Sequence, residues 1–247
     1  MEGTAMDCKQ VIARLRAQAN PKNVAGMARF GINPENTLGL SMPFLRKLAK
    51  ELGKDHALAQ ELWASGIHEA RILAGLVDDP LQVTERQMDA WIKEFDSWDV
   101  CDQVCCFLFD RTPYAYSKPA EWSRREKEFE KRAAFSLIAA VAWHDKKAPD
   151  EKVAKFIPMI ISEAGDPRNY VKKAVSWALR NIGKRSTKMH KAAISAAERM
   201  MADSEVLARK GDREGARAAR WVASDTLRDL KSPASLRRLS KVKKSGD

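Results

Sequence analysis

The 247-residue sequence has little of what several common protein classes require. It contains four cysteines and no CxxC pair, so we expect a reducing compartment rather than a disulfide framework. Its four histidines are scattered along the chain, and this disfavours a zinc or iron site. No Gly-x-Ser-x-Gly motif supports serine-hydrolase chemistry. We therefore expect neither a metal nor an organic cofactor.

Signal and membrane-spanning segments are also missing. The N-terminal MEGTAMDCKQ does not show a basic stretch followed by an apolar one. The longest apolar run, AAFSLIAAVAW at 133–143, is too short to span a bilayer. We expect a cytoplasmic, nucleoid-associated protein with no membrane partner. No coiled-coil seam is evident, which favours a monomer.

Strand signals are nearly absent, whereas apolar residues recur at helical spacing between prolines and glycines. Four segments each open with charge and then become alanine-rich and apolar: HEARILAGLVDD (68–79), EKRAAFSLIAAVA (130–142), VKKAVSWALRNIG (171–183) and ARAARWVASDTLRDL (216–230). This degenerate repeat predicts an all-α, right-handed α-solenoid of HEAT-like helix pairs with a concave basic groove. An ordinary helical globule is the alternative. We expect one domain, 1–231, and a flexible basic tail, 232–247.

The charge balance points to a polyanionic partner. Lysine and arginine number 44 against 33 acidic residues, which gives a formal net charge of +11 and a pI near 9.6. Nucleic acid is the first candidate, and an acidic membrane surface is the second.

The segment 171–183 places an aromatic residue among cations. A helical projection gives a continuous apolar stripe, and Trp177 lies about 130° from its centre. Its helical neighbours include Lys173, Arg180 and Lys184. Packing against a neighbouring helix is one interpretation. The other is an aromatic side chain in a basic groove, where it contacts deoxyribose or a base while the cations bind phosphates.

The stretch FDSWDVCDQVC, 95–105, carries three aspartates in an apolar setting. Asp96 can cap the helix, and Asp99 falls in its first turn, where the helix dipole favours an acid. Asp102 lies deeper, beside Trp98 at the edge of the apolar arc. Because burying an unpaired carboxylate is costly, Asp102 needs a partner cation or a wet groove.

Arg132 opens a helix, KRAAFSLIAAVAW, that is apolar nearly all round. Its helical neighbours Ser136 and Ala139 are small and leave room for the guanidinium to reach outward. Arg132 could pair with Asp102 or bind a phosphate with its planar fork, and the two interpretations are compatible.

At these residues the chain resembles the AlkD-like DNA alkylation repair enzymes, alkylpurine glycosylases built from HEAT-like repeats. The similarity covers about residues 20 to 230, and its motifs are SWDVCD (97–102), KRAAF (131–135), VKKAVSWALR (171–180) and, more loosely, GMARFGI with GLSMPFLRKLAKELG (26–53). The resemblance implies excision of cationic N3- or N7-alkylated purines from duplex DNA without a base-flipping pocket.

The resemblance also implies roles for individual residues. Trp98, Asp102 and Arg132 match the family's catalytic and groove residues, and Trp177 matches its second groove tryptophan. The family can place a tyrosine near its N-terminal helices, where this chain offers Phe30. From the residues themselves, we expect five to contact DNA: Trp177, Lys172, Lys173, Arg180 and Lys184.

Three functional classes therefore compete. The first is an alkylpurine DNA glycosylase in which the Asp102 carboxylate stabilises an oxocarbenium-like sugar. The second is a non-catalytic HEAT-repeat protein that binds damaged or branched DNA. The third is a protein-binding solenoid, which predicts little affinity for DNA.

Overall fold

The computed structural model describes residues 6–244 and the side chains of residues 6–240. Within that range every regular element is a helix, which confirms the all-α prediction. The chain divides into two compact units, Met1–Tyr114 and Ala115–Asp247, where the sequence predicts a single domain to residue 231. The division falls beside Pro113, in one of the breaks between apolar segments. Among the described helices, none is long and apolar enough to cross a membrane.

The first unit is built from short helices. Its described part comprises α1 (Cys8–Ala17), α2 (Pro21–Arg29), α3 (Met42–Leu52), α4 (His56–Ala64), α5 (His68–Val77), α6 (Glu85–Lys93), α7 (Trp98–Phe107) and a 3₁₀ helix, Phe109–Arg111. Short polar residues start several of them by accepting free backbone N–H groups. Asp7 forms a reciprocal capping box with Gln10, Asp55 caps α4, and Thr84 caps α6.

An aromatic cluster occupies the core of the first unit. The rings of Trp63 and Trp91 stack with centroids 4.0 Å apart, and Phe95 and Phe109 pack around them. Helix α5 lies against both α4 and α7. A Cβ atom added at Gly75 would lie 3.2 Å from Cγ2 of Val104, so glycine is what lets α5 and α7 approach so closely.

The second unit holds the longer helices. They are α8 (Lys118–Trp122), α9 (Glu128–His144), α10 (Asp150–Ala154), α11 (Ile157–Ser162), α12 (Asn169–Gly183), α13 (Thr187–Arg209), α14 (Arg213–Leu230) and α15 (Pro233–Lys244). Residues 132–142 of α9 are all buried, as expected for a helix that is apolar all round. Helix α12 packs on α9, α13 and α14.

The end of the chain, which the sequence predicts to be a basic tail, contains a further helix. Residues Pro233–Lys244 form α15, and Arg238 from this helix lies over the ring of Trp143. Leu239 is half-buried and Ser235 is buried. The tail prediction rested on a low apolar content, and the contact of Arg238 with Trp143 links this basic helix to α9. Residues 245–247 lie outside the described range.

Candidate nucleic-acid interface

Helix α7 presents Trp98 and Asp102 on one side. The two residues are four positions apart, so they lie one helical turn from each other. Both are half-buried, whereas Val100, Cys101 and Val104 on the opposite arc are buried. The carboxylate of Asp102 is therefore not sealed in the core, and it stays beside a tryptophan at the edge of the apolar arc.

The turn before α7 fixes where the helix begins. The expectation that Asp96 caps α7 is wrong, because the N-cap residue is Ser97, whose side chain does not cap the helix. Instead, the Oγ atom of Ser97 accepts the backbone N–H of Asn33 at 2.9 Å, and Asn33 Nδ2 donates to Asp96 Oδ2 at 2.9 Å. Both side chains thus tie the start of α7 to the loop that follows α2.

Asp99 has a partner that the sequence pattern did not reveal. Its Oδ2 atom lies 2.9 Å from Nε2 of His68, and both residues are buried. Burial of His68 disfavours its charged form, but the hydrogen bond and charge of Asp99 outweigh that effect, and the pKa of His68 is raised. The spacing of residues within one helix cannot reveal a contact with a histidine 31 positions away. The position of Asp99 in the first helical turn already explained why an acid occurs there.

Glu69, the next residue on α5, is a second buried acid missed by the pattern. Its carboxylate accepts the backbone N–H groups of Leu38, Gly39 and Leu40, at 2.6 to 3.0 Å. Gly39 has a φ of +79°, a conformation that favours glycine. Glu69 thereby anchors the loop between α2 and α3, which contains Asn33 at its start.

Trp98 is held by α2. Its indole Nε1 donates a 2.9 Å hydrogen bond to the carbonyl oxygen of Phe30, the C-cap residue of α2. The ring of Phe30 itself is 76% exposed. The indole is thus fixed at its polar edge by a residue 68 positions away, and position 30 offers a phenyl ring and no hydroxyl.

The thiol beside Asp102 is not a nucleophile. Cys106 follows Asp102 by one helical turn, and burial together with the negative charge of Asp102 raises the pKa of this thiol. Burial likewise raises the pKa of Cys105. Both thiols are therefore disfavoured as thiolates at neutral pH.

Helix α12 has the amphipathic character that the sequence predicts. The stripe residues are fully buried: Val171, Ala174, Val175, Ala178, Leu179 and Ile182. Trp177 is half-buried on another side of the helix. Lys173 is exposed, with its ammonium 6.0 Å from the ring centroid of Tyr170, and Lys172 lies 5.5 Å from that of Trp221.

Two of the predicted phosphate contacts are already paired with acids of α14. Lys184 Nζ lies 2.6 Å from Asp229 Oδ2, and Arg180 Nε lies 3.6 Å from Asp225 Oδ2. Asp225 also accepts a 2.7 Å hydrogen bond from the Ser176 hydroxyl. The positive charge available along α12 is therefore concentrated at its N-terminal half, on Lys172 and Lys173.

Arg132 is more enclosed than its small helical neighbours suggested. The residue is 5% exposed, and its Nη1 atom donates a 2.6 Å hydrogen bond to the backbone carbonyl of Tyr170 in the first turn of α12. Tyr170 N in turn donates to Glu128 Oε1 at 2.8 Å. In this arrangement Arg132 joins α9 to the start of α12 instead of extending into solvent.

Comparison with known proteins identifies the family. A family model described as DNA alkylation repair enzyme matches residues 11–210, which is most of the chain. The chain belongs to the DNA alkylation repair enzyme family. The matched range includes α7, α9 and α12, and it confirms the resemblance recognised from their motifs. No match was found among curated proteins.

The fold is shared with a solved structure described as "a new family of proteins related to the HEAT-like repeat DNA glycosylases with affinity for branched DNA structures". The two chains are 21% identical, and the match covers 78% of this chain and 83% of the other with a TM-score of 0.70. At this identity the likeness shows the fold, and it confirms the prediction of HEAT-like helical repeats.

Proposed function

We propose that this protein excises cationic N3- or N7-alkylated purines from duplex DNA by hydrolysing the N-glycosidic bond. One observation carries the proposal: Trp98 and Asp102 lie one helical turn apart on the half-buried side of α7, with Trp98 anchored by the carbonyl of Phe30. Membership of the DNA alkylation repair enzyme family supports it. We further propose, from the sequence alone, that the protein acts as a monomer in the cytoplasm with the nucleoid.

The chemistry needs an anion near the sugar. When the C1′–N bond breaks, its electron pair passes to the base and neutralises the positive charge that alkylation had placed there. The sugar becomes oxocarbenium-like, and the Asp102 carboxylate stabilises this cation and orients a water molecule. The water oxygen adds to C1′ and its proton leaves to Asp102 or to solvent. Trp98 packs against the deoxyribose and excludes competing water, so the base need not enter a pocket.

The remaining DNA contacts are assigned to the second unit. Trp177 contacts the sugar–phosphate backbone, and four cations bind phosphates: Lys172, Lys173, Arg180 and Lys184. Lys172 and Lys173 are available directly, whereas Arg180 and Lys184 must share their charge with Asp225 and Asp229. Arg132 is also assigned to a phosphate, and its Nη1 atom already donates to the carbonyl of Tyr170.

The charge of the released base provides a test of the proposed glycosylase activity. The wild-type protein should release 7-methylguanine from a duplex, because the cationic base leaves readily once the sugar cation is stabilised. It should not release uracil from the same duplex, because a neutral base has no such charge to lose. Release of both bases at similar rates would contradict the proposal, and so would release of neither.

Non-catalytic binding of branched DNA is the second candidate. Two observations favour it: the structural neighbour is described as having affinity for branched DNA, and Arg132 is buried against a backbone carbonyl. This candidate predicts tighter binding of a four-way junction than of a linear duplex, with no base release from either. Anisotropy titrations of both labelled DNAs, alongside the release assay, separate the two functions.

A further inference from the structure

A tryptophan outside the residues assigned to excision also lies among cations. Trp143, near the end of α9, is 37% exposed. The guanidinium carbon of Arg238 lies 3.9 Å from the centroid of its ring, and Lys146 Nζ lies 5.2 Å from it. One partly exposed tryptophan is ordinary, but two cations lie beside this ring, so an aromatic face and positive charge occur together at the surface.

The ring borders an open cleft of about 500 Å³. The lining includes Arg237 and Arg238 from α15, Ser235, and Lys184 with Asp229. Asp229 is already paired with Lys184 at 2.6 Å, so its negative charge is not available to the two arginines. Arg237 is exposed. We name Trp143, Lys146, Arg237 and Arg238 the α15 patch.

The cations of the α15 patch differ in how they are hydrogen-bonded: Lys146 Nζ donates to the carbonyl of Ala142 at 3.4 Å, whereas Arg238 has an unsatisfied donor within the described residues. The Nε atom of Arg238 is buried and has no hydrogen-bond acceptor among those residues. Partial burial and the positive charges of Arg185 and Arg238 lower the pKa of Lys146 to about 8. Arg185, in contrast, donates to the carbonyls of Ala142, Asp145 and Ala148. An anion bound beside Arg238 and Lys146 would relieve their repulsion and supply the missing acceptor.

We propose that the α15 patch binds a single-stranded DNA segment, with one base stacked on Trp143 and the adjoining phosphates bound by Arg237, Arg238 and Lys146. Phosphates account for the cations, and a base accounts for the aromatic ring. The strand is single because base faces in a duplex are covered by neighbouring bases. A base that displaces Arg238 from the ring lets its Nε donate to a phosphate. The inference rests on the proposed binding of DNA but not on base excision.

A short fluorescein-labelled oligothymidylate tests the patch in the full-length protein. Trp143→Ala should weaken binding about tenfold, because one stacked base is lost. Trp143→Phe, which keeps an aromatic ring, should recover much of that loss. Arg238→Gln should also weaken binding and should reduce the slope of log K against log salt by about 0.7, as expected for one lost phosphate contact on a single strand.

The matched control is Arg209→Gln, which removes the same charge from a side chain that is 78% exposed at the end of α13. It should leave oligothymidylate binding nearly unchanged. The proposal is overturned if Arg209→Gln weakens binding as much as Arg238→Gln, or if Trp143→Ala binds like the wild type. Anionic vesicles that bind the patch while the oligonucleotide does not would also overturn it, since the partner would then be a membrane.

The two proposals fail separately. If the wild type releases 7-methylguanine but the patch variants bind oligothymidylate normally, only the patch assignment is lost. If the patch variants lose oligothymidylate binding while the wild type releases no base, only the excision proposal is lost.

Discussion

At the residue scale, a buried pair joins the first turn of α7 to the start of α5. His68 and Asp99 lie 2.9 Å apart in the core of the first unit, directly beside Trp98 in the sequence. Removing one partner of a buried pair leaves the other charge uncompensated, which is costly. The position of Trp98, and with it that of Asp102, therefore depends on two residues that contact no DNA in our proposal.

The raised pKa of His68 gives this pair a defined pH dependence. A histidine whose pKa is raised by folding contributes full stability below its unfolded pKa of about 6.5 and loses it as the pH rises through the folded pKa. His68→Leu should therefore lower the free energy of unfolding by about 3 kcal/mol at acidic pH. The deficit should shrink as the pH rises. Urea denaturation of both proteins between acidic and alkaline pH measures it, and a deficit that grows with pH would contradict the account.

Local spacing predicted some of these residues and missed others. Trp98 and Asp102 share a helical face, so the sequence alone placed them together. His68 could not be found in this way, because its contact with Asp99 joins two helices. Ser97 replaced Asp96 at the cap position because the loop after α2 engages both side chains, and a helix-start pattern carries no information about that loop.

At the element scale, α12 shows which features of a helix can be predicted from the periodicity of its apolar residues. Its buried stripe and the off-stripe position of Trp177 follow from the sequence of one helix. The partners of Arg180 and Lys184 do not, because Asp225 and Asp229 lie on α14. For the same reason the contact of Arg238 with Trp143 could not be predicted, because Trp143 lies on α9.

Helices also pack closely at the end of α12. A Cβ atom at Gly183 would lie 2.9 Å from Cβ of Ala193 and 2.9 Å from Cδ1 of Leu230. Gly183→Ala should therefore destabilise the protein by about 1–3 kcal/mol, although alanine is the better helix former. The control is Gly26→Ala in α2, where an added Cβ meets nothing within 4 Å. It should stabilise by up to about 1 kcal/mol, and thermal denaturation that shows the same sign for both would contradict this packing.

At the scale of the whole molecule, net charge indicates the kind of partner but not where it binds. The formal charge of +11 is the excess of 44 basic over 33 acidic side chains, and ion pairs such as those of Lys131 with Glu163 and Asp166 determine which of the basic side chains already have an acidic partner. Composition also did not reveal that the chain divides at Tyr114, because both units share the same helical, alanine-rich character. Family membership and fold were predictable from motifs, whereas the distribution of usable charge required the structure.

The salt dependence of duplex binding measures how many cationic side chains contact phosphates. Each phosphate contact should contribute about −0.9 to the slope of log K against log salt. Lys173→Gln should remove about one such contribution, because the side chain is exposed. Lys184→Gln should remove less, because Asp229 already neutralises this lysine. Anisotropy titrations at several salt concentrations give the slopes, and equal losses for the two variants would mean that Lys184 leaves Asp229 when DNA binds.

The most direct test of the account compares Asp102→Asn with Asp96→Asn in single-turnover release of 7-methylguanine. Both changes remove one negative charge within residues 95–105, but Asp96 is exposed and outside α7. Asp102→Asn should slow release by about 100-fold or more while duplex affinity stays near that of the wild type. Asp96→Asn should change neither quantity appreciably. Release by Asp102→Asn at the wild-type rate, or a loss of release that only matches a loss of binding, would contradict the central claim.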